Sequence, residues 1–322
     1  MSTLRDTKPV KLSGLIPATI TPFSTDGAVD MEALRRHVRE TADTDGVTGI
    51  VVNAFLGEIL QLSDDDRVAI IAAAKAELRP GQLLIAGLEG RNAAQYVTDG
   101  NAAKAAGADA LLVLPPFDVR PYRRLVRDTR VVHEFFSALD RGIGLPMIIF
   151  QYGERSGCAY PVDVLKAVAE IPNVVGVKCS CDTVTHYVAH WEGLKDSLSV
   201  LAAVDQPSLL GMLMHGAHGS LIGISVVGTK RWSDLVAEAL DGDLVKAQAI
   251  HRDFCVPLMA SLFENQEPTS STSEVSRIKE ALVQLGQIPN SNVREPAVGV
   301  TDAHRALIRR SLASVGLTSA RG

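Results

Sequence analysis

The chain is poor in cysteine. Four cysteines (Cys158, Cys179, Cys181 and Cys255) in 322 residues are too few for a disulfide framework, so a reducing, cytoplasmic setting is expected. It also lacks any apolar run long enough to span a bilayer, and Met1 to Lys11 is polar and charged rather than the apolar core of a signal peptide. No membrane association is expected. There is no basic block: Lys and Arg number 32 against 37 Asp and Glu, a net charge of −5, which argues against nucleic acid as a partner. No Gly-x-Gly-x-x-Gly turn follows the first apolar segment, which weighs against a dinucleotide-binding, doubly wound sheet.

What is present is alternation. Hydrophobic residues make up 46% of the chain, ample for a large core. Short apolar segments at 15–20, 47–53, 82–87, 108–114, 145–150, 174–177, 198–203 and 220–225 read as buried strands. Helical spacing falls between them, at 30–41, 63–76, 92–106, 122–139, 161–171, 183–194, 206–215 and 232–240. Asp30 and Ser63 stand where N-caps belong, and Asp64-Asp65-Asp66 reads as an acidic first turn rather than a metal cluster. After Asp241-Gly242-Asp243 the pattern is helical only, at 244–263, 273–285 and 301–315. Eight strand–helix units predict an α/β fold: a (β/α)8 TIM barrel over residues 1–242, with a C-terminal helical extension over 243–322.

Within this frame one segment carries chemistry. Val174-Val175-Gly176-Val177 runs into Lys178, followed by Cys179, Ser180 and Cys181. Burying an ammonium without a partner costs several kcal/mol, and burial depresses a lysine pKa. A neutral amine in a pocket attacks carbonyls, so Lys178 is a candidate Schiff-base lysine. The alternative is a lysine that reaches the rim and only solubilises it. A barrel's chemistry sits at the carboxyl ends of its strands. That rule points to Thr19, Thr21, 53–58, Phe117, 150–155, Lys178, Asp205 and Ile222-Gly223, and it favours the imine reading.

Several of these segments carry a resemblance. Gly14-Leu15-Ile16-Pro17-Ala18-Thr19-Ile20-Thr21-Pro22-Phe23, Gly57-Glu58, the stretch Phe150 to Gly157, Val174 to Lys178, and Gly216-Ala217-His218-Gly219 with Ile222-Gly223 follow in the order of one family. From about Gly14 to Leu317 the chain resembles the dihydrodipicolinate synthase / N-acetylneuraminate lyase family. That resemblance implies a class I aldolase-type barrel, usually tetrameric, whose lysine forms an imine with pyruvate or another 2-oxo acid and needs no cofactor. It implies Lys178 as the imine lysine and Arg155 as a receiver of a substrate carboxylate. It also implies Leu56, Gly57 and Ile222 as substrate-binding positions. Glu58 is read as an acceptor that orders its own loop.

The chain departs from the family at its proton-handling positions. Phe55 and Leu56 stand where small hydroxyl or glycine residues are usual; Phe150 stands at the relay tyrosine, and Phe117 at the tyrosine that reaches a neighbouring subunit. Phenylalanine moves no proton. Tyr152, two residues beyond Phe150 on the same strand face, is the candidate replacement. The expected function is a lyase or aldolase acting on a 2-oxo acid through an imine at Lys178, distinct from a true synthase. The alternatives are a dehydratase of a sugar-derived 2-oxo acid and a non-catalytic ligand binder. No metal is expected: Cys179-x-Cys181 lacks a second pair and reads as wall residues. His186 and His190, at i, i+4 on an outer-ring helix, read as surface histidines.

Overall fold

β-Branched and leucine-rich runs form the strands β1 (Gly14–Pro17), β2 (Gly49–Val52), β3 (Leu83–Leu88), β4 (Ala110–Val113), β5 (Met147–Gln151), β6 (Val174–Cys179), β7 (Ser199–Ala202) and β8 (Gly219–Ile222). They are seen in a computed structural model that describes residues 10–116, 123–263 and 272–318. All neighbouring strands are parallel, in the order β1-β8-β7-β6-β5-β4-β3-β2. Bridges Leu15–Val47 and Ala18–Val51 join the two ends, with Thr19 N–H donating to Val51 O at 2.9 Å, and close the barrel.

Each strand is followed by a helix: α1 (Met31–Ala42), α2 (Asp64–Lys75), α3 (Ala93–Ala105), α4 (Thr129–Ile143), α5 (Val162–Val168), α6 (Val184–Leu194), α7 (Ser208–His215) and α8 (Thr229–Leu240). Their starts follow local chemistry. Asp30, Asn92, Asp128 and Thr183 each accept a first-turn N–H, and Ser63 forms a reciprocal capping box with Asp66. The extension comprises α9 (Leu244–Ile250), α10 (Val256–Leu262), α11 (Glu274–Gln284) and α12 (Asp302–Ser314). Helix α9 packs on α8, and α10, α11 and α12 pack on one another.

Side-chain alternation sorts the core into two layers. Ile16, Val51, Ile85, Leu112, Ile148, Phe150, Leu201 and Leu221 fill the barrel interior. Their chain neighbours, such as Met147, Ile149, Val177 and Cys179, face the helices. Two helices differ from expectation. The helix expected over 122–139 is broken: 123–125 are helical, the chain turns at 126–127, and a new helix starts at Thr129, where Asp128 caps it, and runs on to Ile143, where Gly144 turns left-handed at φ 65°. The helix expected over 244–263 is interrupted by a wide π turn at His251–Cys255. Pro257 lies just beyond that turn and has no N–H to give, so the wider turn absorbs the missing bond. Among the described residues no helix is long and apolar enough to cross a membrane.

Candidate active site

Lys178 is the next-to-last residue of β6, paired in register with Phe150 of β5 and Leu201 of β7. Since Val177 and Cys179 face the helices, Lys178 is turned into the barrel. It opens onto a cavity of about 370 Å³ at the carboxyl ends of the strands. Nζ donates to Ser180 Oγ at 2.7 Å, Ser180 Oγ donates onward to Ala203 O at 2.9 Å, and Nζ lies 4.0 Å from the Phe150 ring centroid. Burial lowers the lysine from 10.5 to about 8, against the opposing pull of Asp205. At pH 7 about a tenth of the amine is then unprotonated, several hundred times the fraction of an unperturbed lysine. The geometry and the ionisation both suit a nucleophilic amine.

The loop after β2 forms the opposite wall. Asn53 and Glu58 bracket it with left-handed backbones, φ 54° and 57°, each at a cost on the order of 1–3 kcal/mol. Contacts on both residues hold the turn in place. Asn53 Nδ2 donates to Arg67 O at 2.9 Å, and Glu58 accepts the Arg294 N–H at 3.2 Å and the buried ammonium of Lys279. Glu58 therefore orders its loop, as expected. Thr21 Oγ1 fixes the same turn by donating to Gly57 O at 2.9 Å. Between these anchors the N–H groups of Phe55, Leu56 and Gly57 donate to no acceptor among the described residues. Leu56 covers Gly223, where an added Cβ would sit 1.8 Å from Leu56 Cδ1.

The expected site residues divide as follows. Lys178, Leu56 and Tyr152 line one cavity. The Tyr152 ring stacks on Phe150 with centroids 4.5 Å apart. Its phenol oxygen is itself buried, and burial with the nearby Glu89 and Cys158 pushes the phenol above the ordinary range. Gly57 does not line the cavity. Arg155 is exposed and does not line the cavity; its N–H donates to Asp182 at 2.8 Å. Ile222 turns its side chain toward the helices, and its carbonyl already accepts from Ala18 N–H at 3.1 Å and Ser225 Oγ at 2.8 Å. Its neighbours Leu221 and Gly223 face the cavity instead. Phe117 lies outside the described residues. Ser180, Phe263 and Glu274, which sequence reasoning missed, line the cavity too. Glu274 follows the N-cap Ser273 and so carries only a helix-start signal in the sequence.

One expectation is corrected. His190 is not a surface histidine: it is 5% exposed, while His186 stays outside against Glu154. The Gln151 amide is fixed from both ends by Tyr160, donating to its carbonyl at 3.1 Å and accepting its N–H at 3.0 Å. Gln151 thus presents an N–H to His190 Nε2 at 3.2 Å, which must accept it, and the ring proton sits on Nδ1. Nδ1 donates to His186 O at 2.8 Å and faces Cys181 Sγ at 3.7 Å. Ligand atoms of Glu154, Cys181 and His190 come within 4.8 Å of one another, but both ring nitrogens are already committed, so the cluster reads as structural. Of the two cysteines expected as wall residues, Cys181 lines the cavity, whereas Cys179 packs outward.

Comparison with known proteins agrees with this architecture. A 4-hydroxy-tetrahydrodipicolinate synthase of Rhodopseudomonas palustris is 31% identical over 304 residues, covering 94% of this chain and 97% of that one. One of Methylobacterium radiotolerans is 28% identical over 307 residues, covering 95% and 97%. The crystal structure of dihydrodipicolinate synthase from Aquifex aeolicus superposes with a TM-score of 0.84 at 27% identity, covering 96% of this chain and all of that one. That of the Acinetobacter baumannii enzyme complexed with pyruvate gives 0.83 at 25%, covering 95% and 99%. Residues 11–314 match the sequence profile of the dihydrodipicolinate synthetase family, and the chain belongs to that family.

Proposed function

We propose that the protein is a class I aldolase-type lyase that binds a 2-oxo acid of the pyruvate class as an imine on Lys178. The observation that carries the reading is the placement of Lys178: an amine lowered to about 8 by burial, at the carboxyl end of a barrel strand, opening onto a cavity of about 370 Å³. The loop after β2 lines the same cavity through Ala54, Phe55 and Leu56, and its unused N–H groups suit a carboxylate, since backbone amides bind anions whatever their side chains. The pyruvate complex of the Acinetobacter baumannii relative supports the same ligand class. The imine withdraws electrons from the bond beyond C3, so a carbon–carbon or carbon–oxygen bond there can break without a metal or organic cofactor.

The reading departs from the names of the relatives on one point. Condensation with an aldehyde needs a proton delivered to the aldehyde oxygen as well as proton transfer at the imine, and Phe150 and Phe55 offer no hydroxyl to deliver it. We therefore propose a lyase other than a dihydrodipicolinate synthase. A homo-oligomer, specifically a tetramer, is also proposed; the adjacent exposed Leu244 and Val245 on α9 are apolar side chains that a second copy would cover. A clean monomer by light scattering would defeat the tetramer. For the chemistry, pyruvate plus borohydride should add mass at Lys178. An unchanged mass across a panel of 2-oxo acids, with folded protein, would favour a non-catalytic binder.

A further inference from the structure

With Phe150 beside the amine, any group that moves protons at the imine must come from another part of the cavity wall. Five titratable side chains besides Lys178 line it among the described residues: Tyr152, Cys181, Asp182, Asp205 and Glu274. The Tyr152 phenol oxygen is buried, near Glu89 and Cys158. Cys181 is 1% exposed, its sulfur held between Cys179 and His190. Asp182 accepts the Arg155 N–H at 2.8 Å and packs so closely on Gly153 that a Cβ there would lie 2.3 Å from its Oδ1. Glu274, in the first turn of α11, lines the wall and raises the pKa of Asp205.

Asp205 is placed differently. It lies three residues past the end of β7, the strand paired with β6, and lines the same cavity as Lys178, where each acts on the other's charge. Gly223 N–H at 3.0 Å and Ile224 N–H at 2.9 Å both donate to Oδ1. That fixes the carboxyl group and leaves Oδ2 without a hydrogen bond among the described residues.

We infer that Asp205 is the proton-transfer residue of the reaction at Lys178, in place of the phenol absent at position 150. The inference rests on the imine reading above. The Nζ lone pair adds to C2 of the 2-oxo acid, and the nitrogen proton passes to the new alkoxide, giving a neutral carbinolamine. Asp205, protonated at Oδ2, gives its proton to the carbinolamine hydroxyl. Water leaves, the nitrogen lone pair closes the C=N bond, and an iminium faces an Asp205 carboxylate. That carboxylate then takes a proton from C3, the C–H pair becomes the C2–C3 double bond of an enamine, and Asp205 is protonated again. Each proton and electron pair is accounted for, and no co-reactant beyond the 2-oxo acid is required. Burial pushes Asp205 above the usual carboxylate range against the pull of the two amides and Lys178, which suits a group that must hold a proton and return it. The charged groups facing it are Lys178 from β6 and Glu274 from α11, with Asp182 and Cys181 on the same wall.

Asp205→Asn keeps an acceptor for both amides and removes the proton carrier. The measurement is deuterium exchange at C3 of pyruvate in D2O by NMR, beside end-point borohydride trapping. Wild type and variant should both trap pyruvate at Lys178, while exchange in the variant falls roughly a hundred- to ten-thousand-fold. Asp205→Glu should restore part of it. At saturating pyruvate, wild-type exchange should fall in acid with a midpoint above the ordinary aspartate value of about 3.9. A profile with no such limb would overturn the assignment even if the Asn variant failed to fold. Trapping with undiminished exchange in Asp205→Asn would remove this assignment alone. Loss of exchange in Tyr152→Phe with exchange intact in Asp205→Asn would give the role to Tyr152. No trapping in the wild type would remove the imine reading, and this assignment with it.

Discussion

Replacing Lys178 by methionine should make the protein inactive and more stable. The amine ionises at about 8 in the fold against 10.5 as an ordinary lysine. Near neutral pH the folded state therefore carries a charged lysine at a penalty of at most about 3 kcal/mol, since each pKa unit is worth about 1.4 kcal/mol. Solvent reaching into the cavity screens part of this. The sign follows from proton binding: the unfolded chain holds the proton more tightly, so the penalty is full below about pH 8 and fades as pH rises toward 10.5. Methionine has similar length and packs its sulfur favourably against an aromatic ring such as Phe150. Ser180 Oγ keeps its bond to Ala203 O, so no hydroxyl is orphaned. For 322 residues, at about 2.1 cal/mol/K each, a gain near the upper limit raises Tm by about 4–5 °C. The assay is thermal unfolding of both proteins at neutral pH and near pH 10, where the gain should shrink below about 1 kcal/mol. A variant less stable than wild type at neutral pH, or a gain that does not change with pH, would refute the placement of a strained ammonium at this site.

Lys279→Met should cost about 3–5 kcal/mol in urea unfolding, because it strands the Glu58 carboxylate, 4% exposed, without its cation; a loss below about 1 kcal/mol would mean that Glu58 is already neutral. Gly223→Ala should drive Leu56 into the cavity, since the new methyl would meet Cδ1 at 1.8 Å; the apparent affinity for 2-oxo acids should fall at least about tenfold, roughly 1.4 kcal/mol, and unchanged affinity would place the substrate away from Leu56. Condensation of pyruvate with aspartate semialdehyde should stay well below the ordinary enzymatic range of about 1 per second and above; turnover within that range would show that the hydroxyl-free wall at Phe150 and Phe55 does not prevent synthase chemistry.

The barrel was legible because each strand carries its own local signal. Segments 82–87 and 145–150 became Leu83–Leu88 and Met147–Gln151, shifted by one or two residues. The strand expected over 15–20 stops at Pro17, yet Ala18 and Thr19 continue the pairing, to Ile222 O and Val51 O, so the chemical reading of that stretch was sound although its limit was not. The position of Lys178 near the carboxyl end of β6 was legible for the same local reason. His190 was not: i, i+4 spacing shows that two histidines share a helix face, but not which way the face points. That is decided by Gln151 and Tyr160, thirty and more residues earlier in the chain. The ion pair of Glu58 with Lys279 spans 221 residues and leaves no trace in either neighbourhood.

That pair bears on how the site is built. Helix α11 supplies Lys279 to the loop after β2 and Glu274 to the cavity, and Phe263 lines the cavity from just beyond the end of α10. Arg294, between α11 and α12, adds its N–H to Glu58 at 3.2 Å and its guanidinium to Gln61 O at 2.8 Å and Asp66 at 2.7 Å. Two left-handed residues together cost on the order of 2–6 kcal/mol, which the short loop from Asn53 to Glu58 cannot offset alone. The offset comes from Thr21 on the barrel side and from Lys279 and Arg294 on the extension side. The loop carrying the unused amides of Phe55, Leu56 and Gly57 is thus held from both sides, and such prior fixing lets a donor favour one ligand position over others. The extension accordingly helps to build the cavity wall, and a change at Lys279 or Arg294 should reach the proposed imine site through the backbone of Phe55, Leu56 and Gly57.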